Sequence, residues 1–133
     1  MRSRYAVLVG LVLAAIGSIV FWTGPALAGD TPVGADELKA LLSGNTAEGR
    51  YIKWETTHKM FFDASGEIRR VDSLNNEEKG EWYVNKQGEL CISVRKERCS
   101  EVTMRDDGGY NASRKGTLVF TFDKIVSGNP HNL

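Results

Sequence analysis

Apolar and polar residues alternate along most of this chain with a period of two, and the runs are short. In Glu89–Val94 the residues Leu90, Ile92 and Val94 fall on one face and Cys91 and Ser93 on the other, the pattern of a half-buried strand. Similar runs predict strands over Arg50–Glu55, His58–Phe62, Glu67–Val71, Gly80–Val84, Arg98–Met104, Tyr110–Ser113 and Thr117–Val126. Turn signals separate them: Asp63-Ala64-Ser65-Gly66, Asn85-Lys86-Gln87-Gly88, Asp106-Asp107-Gly108-Gly109 and Arg114-Lys115-Gly116. The polar stretch from Ser73 to Lys79 reads as the longest loop, and Arg69 with Arg70 marks Glu67–Val71 as an edge strand.

One segment has the other period. Leu38, Leu41 and Leu42 lie at i, i+3 and i+4, predicting a helix over 35–42 with Gly34 as N-cap, Asp36 and Glu37 in the first turn and Gly44 as the stop. Two turns are not stable alone in water, so the leucine stripe must dock on the sheet, across an open end or an edge. The expected fold is mainly β: an antiparallel eight-stranded meander forming a small barrel or rolled sheet, with one short N-terminal helix. A two-sheet sandwich is the alternative. The predicted core is Ile52, Trp54, Trp82, Leu90, Ile92, Leu118, Phe120 and Phe122.

The first 28 residues have a different pattern. Arg2 and Arg4 precede an apolar run from Ala6 to Phe21, and Ala26-Leu27-Ala28 offers the small-x-small site that a signal peptidase requires. This predicts a secretory signal peptide over residues 1–28 and a single exported domain over 29–133, with no membrane segment after cleavage. The signal removes two basic residues and no acidic ones, leaving 15 basic against 17 acidic side chains. That balance gives no electrostatic footprint for nucleic acid or anionic lipid. Both cysteines of the protein, Cys91 and Cys99, remain in the exported part. An even count in an oxidising compartment implies a disulfide, and this spacing suits a cross-strand bridge in a hairpin. A periplasmic or secreted location follows from the same two features.

Candidate chemistry is thin. His58 and His131 are the two histidines, and with the cysteines they match no zinc spacing, so neither a metal nor a cofactor is expected. No Gly-x-Ser-x-Gly elbow occurs, and a hydrolase would have to use His58 with Asp63 or Glu55 as its orienting acid. The aromatics offer more. Alternation puts Tyr51, Tyr83 and Tyr110 off the core row, where they could line a shallow ligand face at an open barrel end.

Leu42-Ser43-Gly44-Asn45-Thr46, Phe62-x-x-x-Gly66, Gly80-x-Trp82, Gly88-x-Leu90-Cys91, Cys99-x-x-Val102 and Gly109-Tyr110, in this order, resemble a family of small exported bacterial proteins of unknown function. The resemblance spans nearly the whole exported chain and implies a periplasmic β domain with one disulfide. It supplies no catalytic residues. Gly80-x-Trp82 is also similar to the lipocalin signature, here mid-chain rather than on the first strand. A weaker likeness is to periplasmic protease inhibitors, small eight-stranded barrels with one disulfide. The expected function is therefore a periplasmic, non-enzymatic binding or accessory protein, its partner an unknown periplasmic protein. The alternatives are a lipocalin-like carrier of a small apolar ligand and a hydrolase using His58.

Overall fold

The computed structural model describes residues 31–133, so the expected signal peptide and its cleavage site lie outside the described residues. After a two-residue strand β1 (Thr31–Pro32) comes the helix α1 (Ala35–Leu42), entered through an extended Gly34 and carrying Asp36 and Glu37 in its first turn. Strands β2 (Asn45–Tyr51), β3 (Thr56–Phe62), β4 (Glu67–Asp72), β5 (Glu77–Val84), β6 (Leu90–Ser93), β7 (Glu97–Met104), β8 (Tyr110–Arg114) and β9 (Thr117–Phe122) follow, and β10 (Lys124–Ser127) ends the series. Each strand from β2 to β9 pairs antiparallel with the next, and β9 returns to β2 at Tyr51 opposite Phe120. The result is a closed eight-stranded antiparallel barrel, which leaves no long free edge for unwanted strand pairing.

The expected edge strand is thus corrected. β4 is paired on both sides, with β3 and β5, and Arg70 alternates onto the inner face two residues from the buried Ile68. The last strand is also not one piece. Asp123 interrupts it, and β10 continues along β2 from Lys124 opposite Glu48 to Ser127 opposite Asn45.

The first predicted strand slides toward the N-terminus, and this overturns two core assignments. β2 occupies Asn45–Tyr51, while residues 52–55 form the turn to β3 with Glu55 at φ 51°. Ile52 and Trp54 are therefore exposed, Trp54 by 64%. The inner face of β2 is instead Ala47, Gly49 and Tyr51, residues with little strand propensity apart from Tyr, held there by pairing on both sides. Leu118 is the third correction. A register shift between Ala112 and Ser113 sets Leu118 opposite Ser113, which breaks its alternation with Phe120, and at the open rim solvent reaches 37% of it. Trp82, Leu90, Ile92, Phe120 and Phe122 are buried.

The helix closes one end of the barrel. Leu38 and Leu42 are fully buried in a cluster with Phe62, Ile68, Trp82 and Leu90, and burying two leucines is worth about 3–6 kcal/mol of transfer free energy. Phe62 stands edge-on to Trp82 at 5.2 Å and to Phe122 at 5.8 Å. The indole Nε1 of Trp82 donates to the Asp63 carbonyl at 2.8 Å, tying β5 to the β3–β4 turn. Two residues earlier, a Cβ on Gly80 would lie 2.1 Å from the Ser93 carbonyl oxygen. The Gly-x-Trp pair thus combines a close strand crossing with a core plug.

On the outer face, Cys91 and Cys99 stand directly opposite each other in the β6–β7 hairpin and are bonded at 2.04 Å. Both alternate away from Leu90 and Ile92, as the sequence pattern required.

Candidate functional site

The end opposite α1 is open. The turns after β2, β4, β6 and β8 ring a cavity of about 850 Å³, within the range of small-molecule sites. Its floor is apolar, formed by Met60, Ile92 and Phe120, all buried. These residues reach the interior because each is the inward position of its strand: Met60 two residues from His58 and Phe62, Ile92 opposite Trp82, Phe120 opposite Ala112.

Above the floor lies a polar layer, again from inward positions. Arg70 Nε donates to Glu78 Oε2 at 2.7 Å, and Arg95 at the rim reaches the other oxygen of Glu78 at 2.9 Å. The Tyr51 phenol is raised above its usual value, chiefly by burial, with Arg70 beside it pulling the other way. Arg114, two residues after Ala112 on β8, donates from Nε to the Ser100 hydroxyl at 3.0 Å. Its guanidinium is held below the ordinary arginine value by partial burial and by the positive charge of Arg98. Arg98 lies two residues before Ser100 on β7, opposite Ile92. Asp72 is occupied otherwise: it accepts from the Asn76 side chain at 2.9 Å and from the backbone of Leu74 and Asn76, closing its own loop. These bonds hold its carboxyl below the usual range.

The rim carries Lys53, Trp54, Leu74, Lys96 and Leu118. Around the whole cavity, six cationic side chains face two carboxylates, in a chain whose formal net charge is zero.

Of the three tyrosines expected to line a ligand face, the structure brings only Tyr51 to the cavity. Tyr83 is on the outside of β5, half exposed, opposite Cys91. Tyr110 is half-buried at the helix end, opposite Phe122. What sequence reasoning missed is the set Arg70, Glu78, Arg98 and Arg114. The signal was present: each is spaced by two or four from a buried inward residue (Ile68, Trp82, Val102, Ala112) and stands beside a turn. A charge at such a position faces the lumen at its mouth, not the outer solvent.

His58 is elsewhere. It is 2% exposed, does not line the cavity, and is packed among Tyr51, Phe120 and Phe122 at ring distances of 4.7, 5.9 and 5.8 Å. It stands opposite Gly49 across the β2–β3 ladder. A Cβ on Gly49 would lie 1.7 Å from the Thr121 carbonyl oxygen, so that carbonyl occupies the space of the missing side chain. There it accepts a hydrogen bond from His58 Nε2 at 3.0 Å. Since a carbonyl can only accept, the proton is on Nε2. Nδ1 is buried without a partner, and burial lowers the histidine pKa to about 4. The Nε2 bond ties the barrel seam at the point where β9 gives way to β10. The acids considered as orienting partners, Glu55 and Asp63, make no hydrogen bond or ion pair with His58 among the described residues: Glu55 is an exposed turn residue, and the Asp63 carboxylate accepts from Ser65 in its own turn. The other histidine, His131, is bonded to Glu48 at 3.2 Å.

Compared with known proteins, the chain matches no family model and no curated protein.

Proposed function

We propose that this chain is an exported, non-enzymatic binding protein that takes a small, largely apolar ligand into the open mouth of its barrel. The observation that carries the reading is the cavity of about 850 Å³ above a floor of Met60, Ile92 and Phe120, at the one barrel end the helix does not cover. An apolar concave site with a few polar groups converging on it is the usual form of a small-ligand site. A periplasmic or secreted location is favoured by the signal-like residues 1–28 and by the Cys91–Cys99 bond, which persists in oxidising compartments. Hydrolysis by His58 is disfavoured by its burial and by a ring that bonds a backbone carbonyl where a catalytic base would need an orienting acid.

The test is saturable binding of a neutral environment-sensitive dye, N-phenyl-1-naphthylamine, to the purified protein. One-to-one binding is expected, lost in a Val94→Trp variant that fills the mouth while melting normally. Binding unaffected by that variant, or no saturable binding at all, would remove the reading.

A further inference from the structure

We infer that the ligand is a single-chain anionic amphiphile, its carboxylate or phosphate head paired with Arg98 and Arg114 and its apolar part lying against Met60, Ile92 and Phe120. This rests on the barrel mouth being a ligand site and adds the charge and orientation of what enters it.

Two positive charges at the mouth are left over. Arg70 and Arg95 share Glu78, the one carboxylate directed into the polar layer, and Asp72 is committed to its own loop. Among the described residues neither Arg98 nor Arg114 forms an ion pair with a carboxylate. They are close enough for the charge on one to weigh on the other, and Arg114 is partly desolvated as well. A like charge beside a partly desolvated arginine is unfavourable unless an anion completes the site. The Ser100 hydroxyl that accepts from Arg114 is neutral and does not offset its charge. A guanidinium pair supplies parallel N–H donors that suit the oxygens of a carboxylate or phosphate.

Position fixes the orientation. The arginines lie beside the β6–β7 and β8–β9 turns, at the mouth, whereas the buried apolar residues lie below them. A head group at the arginines leaves its chain pointing inward, and Trp54, Leu74 and Leu118 at the rim would cover the upper part. A neutral apolar ligand would leave both arginines as they are. A cationic one would be repelled by the excess of basic over acidic side chains around the cavity.

The experiment is titration calorimetry of the purified protein at neutral pH and low salt with four decyl compounds: decanoate, decyl phosphate, decanol and decyltrimethylammonium, each below its micelle concentration. At least one anion is expected to bind one-to-one, about tenfold or more tighter than decanol, as one charge-assisted pair supplies. Which anion binds better tells a carboxylate head from a phosphate. The Arg98→Gln, Arg114→Gln double variant should abolish that advantage and leave decanol binding unchanged. Should the double variant not fold, Arg98→Gln alone, at an exposed residue without an ion-pair partner, should still lose about threefold. Decanol binding as tightly as both anions, or an anion advantage that survives the substitutions, overturns this inference while the apolar-ligand reading stands. Failure of all four compounds to bind overturns both.

Discussion

His58 should make the barrel acid-labile, and the size of the effect follows from its surroundings. The ring is 2% exposed, bonded through Nε2 to Thr121 and enclosed by three aromatic rings. Its pKa is about 4 in the folded protein against an ordinary value of 6.5, with burial as the main cause. Because the folded value is depressed, the unfolded chain binds the proton first as pH falls. The contribution is fully present above about pH 6.5 and is lost between about pH 6.5 and about pH 4, at about 1.4 kcal/mol per pH unit. Between about pH 7.5 and about pH 4.5 the loss from this one group is about 2.5 kcal/mol, a large fraction of the stability of a domain this size. The assay is urea unfolding at both pH values, followed by circular dichroism, for the wild type and for His58→Gln. The variant keeps an amide donor for the Thr121 carbonyl but does not titrate. Its stability at the higher pH is expected to be lower, since the fit among the rings is lost. Its further loss on acidification should be smaller than that of the wild type by about 2–3 kcal/mol. Carboxylates such as Asp72 and Asp107, whose pKa values are lowered by local bonds, affect both proteins alike and cancel. Equal acid sensitivity in the two proteins would refute the assignment of a buried neutral histidine at the seam.

Gly49→Ala should cost about 3 kcal/mol, because its methyl would meet the Thr121 backbone, which cannot move without opening the seam; a loss of unfolding free energy in urea of under half that size would show that the seam adapts. Replacing both cysteines with serine should lower stability by about 2–3 kcal/mol, as expected for releasing a short loop, and reductant should then have no further effect on the midpoint. Leu38→Ala should cost about 2–5 kcal/mol as a fully buried end plug, whereas Trp54→Ala should change the unfolding free energy by less than about 0.5 kcal/mol. Comparable losses for Leu38 and Trp54 would mean that the turn after β2 is packed in solution.

The local pattern of this chain determined the strand type, most of the strand positions, the helix with its leucine stripe and the cysteine pairing, because each depends on periodicity or on neighbours a few residues apart. Leu90, Ile92 and Trp82 could be assigned inward from alternation alone. Tertiary structure decided where β2 lies. Ala47 and Gly49 have weaker strand character than Ile52 and Trp54, yet with Tyr51 they take the inner face because β3 and the returning β9 and β10 pair with this segment. That pairing put Ile52 and Trp54 into a turn and turned Tyr51 into the lumen. Only barrel closure could give Gly49 and His58 their role, since the Thr121 carbonyl they accommodate is more than sixty residues away in sequence. The mouth follows the same logic: Arg70, Arg98 and Arg114 look like solvent-facing charges one strand at a time. They converge because a closed barrel turns every second residue inward, and the short helix covers just one of its two ends.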